Sequence, residues 1–415
     1  MERNLPLERM ARHKCTIYLW FRFKYVPGML KYVIITNYDL DSGIIKKARS
    51  QVATLNNLGF KAELVVVAED SEKKEEFDDI KLVYVEKLGR KFFLSRLQRT
   101  KTIRRLIRDI IISLKTGDIF YYRGLEIPLL YCPITFFRPF RKCRIISEHQ
   151  SVEINESLLY HSYLEAFTDL LSGNIIIGQS DGIIGVTDEI TAFWTKRLFY
   201  RKIPRTTIPN GFNVQSVEVR NLPLVDNYDI HILFVGDISR WHGLDRLIRG
   251  IADYRGPVHI HFHIVGDGDE LENLIQLKKS VAPAADIHFH GFMRGHPLDA
   301  MFDTCHIAIG SLGIHRNRMK EAASLKVREY CSRGIPFLLA NKDPDFSDNF
   351  EYCLHIEPTD TPVNVEEIIF FTQKVFQNTD HPKIMRKYAE EHVDWHIKGL
   401  QLKEFIHKNF LSHPR

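Results

Sequence analysis

Short β-rich runs alternate with helix-period patterns along almost the whole chain, and that alternation restricts the fold more than any other feature. Parallel strands need a crossover connection, usually a helix, so repeated strand–helix–strand units predict parallel sheets covered on both faces. Tyr32–Thr36, Glu63–Ala68, Lys81–Val85, Asp118–Arg123, Arg144–Ser147 and Gly182–Val186 read as strands, with helices over Ile44–Leu58, Phe92–Leu114 and Ser157–Ser172. Pro204, Pro209, Gly211 and Pro223 then break the pattern within Arg201–Asn227. It restarts with strands His231–Val235, His259–Val265, Ile287–His290, Ile307–Ile309 and Pro336–Leu339, separated by helical patterns over Asp245–Tyr254, Glu270–Ser280, Leu298–Asp303 and Leu325–Ser332. A chain of 415 residues has room for two such units. The expectation is two tandem doubly wound α/β domains, 29–205 and 206–394, after an N-terminal extension of residues 1–28. Ligands of such sheets bind beyond the carboxyl ends of the strands, which here means a cleft between the domains.

The extension is not a secretory leader, because its apolar run Ile17–Phe21 is cut short by Arg22 and Lys24. A typical first strand follows Met29, so the functional chain is expected to start there and residues 1–28 to be dispensable. Six cysteines without a C-x-x-C argue against a zinc ribbon or a disulfide framework and fit a reducing, cytoplasmic setting. The net charge of +5 is unevenly spread: Glu86–Lys115 holds ten basic and two acidic residues, a net +8 that leaves the remainder at −3. In that segment Ile103, Leu106, Ile107, Ile110, Ile111 and Leu114 share one helical face. Residues 87–115 are therefore either an ordinary surface helix or a cationic face held against an anionic membrane, to which Phe136, Phe137, Arg138, Phe140, Arg141 and Lys142 would add. No nucleic-acid-binding motif accompanies the charge.

Three glycine-containing loops follow strands in the second half: 236–243, 266–270 and 310–326. Glycines let backbone amides approach a ligand, and a helix N-terminus favours an anion, so these loops suit a phosphate-bearing molecule. Neither a P-loop nor a complete G-x-G-x-x-G is present, since Leu271 stands where the last glycine belongs. Glu321 and Glu329 are separated by seven residues across a loop-to-helix junction, with Ser324, Leu325 and Lys326 among them. That spacing fits a ligand with phosphates at its centre and hydroxyls on both sides; it equally fits a capping acid followed by a solvated one. His259, His261 and His263 alternate along one strand and face one way; with no converging further ligand evident, a buried or interface row is expected rather than a metal site. Arg316, Arg318 and Lys320 form either a solvated loop or a clamp for an acidic ligand.

In order, Ile208-Pro209-Asn210-Gly211, Phe234-Val235-Gly236, Gly243-Leu244-Asp245-Arg246-Leu247-Ile248, Ile264-Val265-Gly266-Asp267-Gly268, His290-Gly291, the Glu321/Glu329 pair, Gly334-Ile335-Pro336 and the late Trp395 resemble glycosyltransferase family 4 over roughly Leu30–Phe410. These are retaining enzymes of the GT-B fold: two Rossmann-like domains, an interdomain cleft, and a C-terminal helix, here 395–415, that returns to the first domain. The resemblance implies that Glu321 contacts the donor sugar near the reacting carbon and that Glu329 binds the ribose. Gly266 and Gly268 would flank the base, Gly43 would approach donor and acceptor, and His149 would lie near the sugar. The family's Arg after the Phe-Val-Gly strand and Lys before the next glycine are replaced by Asp237 and His242. Arg240, His242 or Lys326 would then carry the diphosphate charge, and Lys326 is expected to, because helix geometry points it at the same anion. The wording around Trp241, with Ser324-Leu325-Lys326 and Arg328-Glu329-Tyr330, resembles a polysaccharide-assembly subgroup.

What this implies is a metal-independent transferase that takes a UDP- or GDP-linked sugar as substrate, needs no cofactor, and glycosylates a lipid-linked saccharide at the inner membrane face. The same fold also hosts nucleotide-sugar epimerases and hydrolases, and the two departures leave open a catalytically silent, nucleotide-sugar- or membrane-binding scaffold.

Overall fold

A computed structural model describes residues 28–35, 42–69, 79–85, 92–123, 129–196, 202–223, 229–281 and 285–411. The first 27 residues, residues 36–41, and the cations Lys87, Arg90 and Lys91 lie outside the described residues, so the expectations placed on them are not addressed.

The chain builds two parallel sheets. The first contains β1 (Met29–Ile35), β2 (Lys61–Glu69), β3 (Ile80–Val85), β4 (Ile119–Arg123), β5 (Arg144–His149), β6 (Gly182–Gly185) and β7 (Arg205–Thr207), in the spatial order β3-β2-β1-β4-β5-β6-β7. The second contains β8 (Asp229–Val235), β9 (His259–Val265), β10 (Asp286–Gly291), β11 (Ile307–Ile309), β12 (Phe337–Leu339) and β13 (Cys353–His355), ordered β10-β9-β8-β11-β12-β13. Every ladder is parallel. In both sheets the order reverses beside the first strand, β1/β4 and β8/β11, and the two switch points mark where a ligand crevice opens.

Buried Val, Ile and Leu on both faces of the central strands build the cores, as parallel sheets demand. Helix α1 (Gly43–Asn57) covers one face of the first sheet, and α2 (Phe92–Ser113) inserts its Ile103, Ile107, Ile110 and Ile111 into the other. The α2 stripe is thus core; Arg99 is buried, whereas Lys101, Arg104, Arg105 and Arg108 face outward. Arg138 and Arg141 do not join them. Arg141 pairs with Asp181 at 2.8 Å and both guanidinia bind carbonyls at Gln179 or Ser180, because that helix end offers acceptors nearer than solvent.

Three expectations need correction. The helix anticipated over Ser157–Ser172 is two, α3 (Glu153–Leu159) and α4 (Tyr163–Gln179), divided where His161 takes a left-handed backbone (φ 59°) that ends a helix. Strand β7 falls inside the proline-rich stretch read as a pattern break; at three residues it is too short to show a period. Strand β13 and helices α5 (Asp188–Lys196), α10 (Val365–Phe376) and α11 (His381–His392) were not anticipated.

The chain passes between the sheets twice, and the two passages lie side by side. Phe212 N–H donates to Val393 O and Trp395 N–H to Phe212 O, each at 3.0 Å. The last helix, α12 (Trp395–Ile406), then packs on α1 and places Leu402, Phe405 and Ile406 in the first sheet's core. This is the returning helix of the GT-B architecture.

Candidate functional site

The crevice is built from strand ends and helix starts. After β8 the chain turns at Gly236 (φ 143°), and after β9 at Gly266 (φ 137°). A Cβ on Gly266 would sit 1.9 Å from Gly236 O, so the two turns touch backbone to backbone and only glycine fits there. Ile238 N–H donates to Asp267 O at 2.8 Å, which locks the 236–243 loop to Gly266–Gly268. Helix α6 (Leu244–Asp253) follows the first of these loops and α7 (Leu271–Val281) the second.

Helix α9 (Leu325–Arg333) starts at the same end of the sheet, after β11 and its loop. Its N-cap, Ser324, makes no side-chain capping bond, so the amides of the first turn carry no side-chain cap. Across the crevice stands the start of α1: a Cβ on Gly43 would lie 3.8 Å from Leu325 Cδ1. Two helix N-termini, one from each sheet, therefore meet, and their dipoles add where an anion would lie.

Lys326 is the cation at this junction. Its Nζ is buried without a hydrogen-bond partner among the described residues, 4.0 Å above the Phe234 ring, and a Cβ on Gly236 would lie 3.0 Å from it. Burial lowers its pKa to about 7, and nearby Asp237 opposes that shift. His242 plays a different part. Its Nδ1 accepts from Ser239 N–H at 3.2 Å inside the loop, and burial together with Lys326 holds the imidazole well below its usual pKa, hence neutral. A neutral ring cannot supply the charge of a missing lysine. Asp237 accepts from the Ser239 hydroxyl, and the Arg240 side chain is exposed.

Glu321 is engaged across the crevice by a residue that sequence reasoning missed. Its carboxylate accepts from Glu189 N–H at 2.9 Å, while the Glu189 carboxylate accepts from the N–H groups of Lys320 (2.7 Å) and Glu321 (2.9 Å). Glu189 lies in the first turn of α5, where an acid is so common that nothing in the sequence singles it out. Glu329, one helical face further along α9, gives one oxygen to Arg333 at 2.9 Å.

His149 ends β5 fully buried, stacked on Trp194 with ring centroids 4.9 Å apart. Burial lowers its pKa to about 3, so it is a neutral group; Nε2 meets Ser147 Oγ at 3.2 Å and Nδ1 has no hydrogen-bond partner among the described residues.

Two buried networks hold these parts. Arg328 lies on α9 between the two carboxylates of the Glu pair; it binds Asp343 and Asp345 and donates to Asn210 O at 3.0 Å. Asn210 Nδ2 donates to Ala323 O at 2.7 Å, tying the crossover chain to the start of α9. Arg316 is neither free nor a ligand clamp: it pairs with Asp245 at 2.8 and 2.9 Å and with Asp360 at 2.7 Å. The histidine row joins a ladder, with His263 linked to His231 at 3.0 Å and to His290 at 3.1 Å. No group of three or more His, Cys, Asp or Glu among the described residues could hold a metal ion.

Residues 219–392 match the family model for glycosyl transferases group 1. No curated protein matches the chain in sequence. Among solved structures, sucrose-phosphate synthase from Thermosynechococcus elongatus superposes with a TM-score of 0.67 at 13% identity, covering 93% of this chain and 100% of that one. Anabaena HepE in complex with UDP and glucose gives 0.64 at 12% identity over 92% of this chain and 100% of its own, and the lipopolysaccharide outer core galactosyltransferase WaaB gives 0.60 at 14% over 92% and 99%. The sheets place the group 1 match on the second half of a GT-B architecture that the whole chain completes: residues 219–392 match a glycosyl transferases group 1 domain, and the chain as a whole has the GT-B fold.

Proposed function

We propose that this enzyme moves a sugar from a UDP- or GDP-linked donor, with retention of configuration, onto a lipid-linked saccharide, in the assembly of a cell-surface polysaccharide at the cytoplasmic face of the membrane. The observation that carries the donor half is the unpartnered Lys326 Nζ at the meeting point of two helix N-termini. A buried cation without a partner costs stability, and a diphosphate at that point removes the cost. The HepE neighbour is described with UDP and glucose, which agrees with such a donor.

In this reading the amides of Leu325 and its neighbours and Lys326 hold the leaving diphosphate, which is where negative charge grows during transfer. Gly236, Gly266 and Gly268 admit the nucleotide, Glu329 accepts from ribose hydroxyls, and His242 shapes its loop as a neutral spacer. Glu321 would exchange its bond to Glu189 N–H for donor-sugar hydroxyls, and neutral His149 would lie near that sugar. No metal is required, because protein cations and amides supply the charge.

The alternative is a silent nucleotide-sugar binder, favoured by Asp237 and neutral His242 standing where two cations are usual. Thermal-shift titration with UDP, GDP and their common sugars tests the donor: a stabilisation confined to one nucleotide and lost in Glu329→Ala places it in this crevice. Stabilisation without turnover on any lipid-linked acceptor would favour the silent binder, and donor consumption without acceptor an epimerase or hydrolase.

A further inference from the structure

Glu189 and Glu321 stand 132 residues apart in the chain, on opposite walls of the crevice, and each carboxylate is met by backbone N–H groups of the other's segment. Glu321 accepts from the second amide of α5, one of the N–H groups that a helix start leaves without an internal acceptor. The next amide, Ile190 N–H, donates to Thr187 Oγ1 at 3.2 Å. The start of α5 is thus capped partly by its own loop and partly from the far wall. In return, a single oxygen of Glu189 accepts from two successive amides, Lys320 at 2.7 Å and Glu321 at 2.9 Å. Bonds from amides to a carboxylate are the strong kind, and a helix N-terminus favours the negative charge.

Backbone and side chain of Glu321 are held very differently. Its main chain belongs to a short extended segment that pairs with Lys342, through Lys342 N–H to Lys320 O at 2.9 Å and Ala322 N–H to Lys342 O at 3.0 Å. Asn210 fixes Ala323 O at the end of that segment, just before α9 begins. Behind it Ile314, Met319 and Ala323 are buried in one apolar cluster with Val152, Ile154, Ile190 and Trp194 of the first half, and Trp194 stacks on His149. Glu189 closes this frame from the α5 side. The Glu321 carboxylate, by contrast, has one partner among the described residues, Glu189 N–H. A well-fixed backbone therefore carries a side chain held by one exchangeable bond.

We propose that Glu189 is the positioning residue of Glu321. Its carboxylate holds the Lys320 and Glu321 amides against the first sheet's wall whether the crevice is empty or loaded. The Glu321 carboxylate rests on Glu189 N–H until donor-sugar hydroxyls take its place there. The exchange then needs a side-chain rotation and no backbone movement, so Glu321 meets the sugar in a geometry that is already set. The clasp itself belongs to the donor-free protein; the positioning role rests on the donor reading above.

Hydrogen exchange on the full, donor-free chain reads the clasp. Glu189→Ala should speed exchange of the Lys320 and Glu321 amides by about tenfold or more. Glu321→Ala should speed exchange at Glu189 while Lys320 stays protected, and the amides of β8 and β9 report that both variants fold. Turnover reads the positioning. Glu189→Ala should lower kcat by about 10–100-fold while the dissociation constant of the nucleotide sugar stays within about threefold. Glu189→Gln keeps an oxygen for the two amides and should recover kcat to within about fivefold of the wild type, with the shape of the pH profile retained. Exchange indifferent to Glu189→Ala overturns the proposal and leaves the donor reading intact. Glu189→Gln as inactive as Glu189→Ala overturns it by making Glu189 a proton carrier or nucleophile, and parallel losses of kcat and donor affinity in Glu189→Ala overturn it by reducing Glu189 to a structural support. A wild type that no nucleotide sugar stabilises refutes the donor reading, and the positioning role falls with it even where exchange shows the clasp.

Discussion

With the donor diphosphate on it, as proposed, Lys326 should make donor affinity depend on pH in a calculable way. Its amine titrates at about 7 in the free protein because it is buried without a partner, and only the protonated form can hold a diphosphate. Binding raises its pKa, so above about pH 7 each binding event takes up a proton and the dissociation constant grows as 1 + 10^(pH − 7). An intact nucleotide sugar has a diphosphate diester whose charge stays fixed near neutrality, which leaves the lysine as the titrating group. From about pH 6.5 to about pH 8.5 affinity should fall about 25-fold, or ~1.9 kcal/mol. Calorimetry at about pH 8 in buffers of different ionisation enthalpy should show uptake of about 0.9 proton per donor bound. Lys326→Met should bind weakly with a flat profile. The folded-state pKa lies below the unfolded value, so in the free protein this group adds stability as pH rises from about 7 towards 10; at neutral pH the methionine variant should be more stable by about 1–3 kcal/mol. A wild-type affinity independent of pH, or the same slope in Lys326→Met, would refute the assignment.

Arg328→Met leaves Asp343 and Asp345 buried without their shared cation and should lower unfolding stability by about 3–5 kcal/mol in urea titrations. Glu321→Gln retains an acceptor for Glu189 N–H and should lower kcat by about a hundredfold or more while donor affinity holds. Glu329→Ala should show the opposite split, a donor affinity about 10–100-fold weaker as charged hydrogen bonds to ribose are lost. Turnover should survive EDTA with less than about a twofold change; a larger loss restored by a divalent cation would show that Lys326 and the amides do not suffice as the charge support.

The sheets were legible because their strands are buried on both faces and separated by helices with a clear stripe, as Ile103 to Leu114 shows. Part of what escaped prediction lacked a period: three-residue β7 and β13, and the α3/α4 break at His161, which depends on a backbone conformation that histidine rarely adopts. Helix α10 was missed although Val365, Ile368, Ile369, Thr372 and Val375 do form a helical stripe. In the crevice, loop positions relative to strands and helices could be read from glycines and the Glu pair. The protonation of Lys326 and His242 could not, because it follows from burial by elements far apart in sequence. Glu189 was hidden for the same reason: its partners lie more than a hundred residues away.

The return of α12 to the first sheet has a consequence for how the protein is made. Leu402, Phe405, Ile406 and Phe410 complete the core around β1, β2 and α1, yet they are the last core residues to leave the ribosome. Roughly two hundred residues separate Thr207, the end of the first sheet, from Ile406, which at 5–20 residues per second is about 10–40 s of synthesis. Throughout that interval the N-terminal half exposes an apolar face that only the far end of the chain can seal. The second sheet has no such debt and closes first, so the half made last is the half that finishes early, and a chain halted before Trp395 would hold one completed domain beside one waiting for its lid.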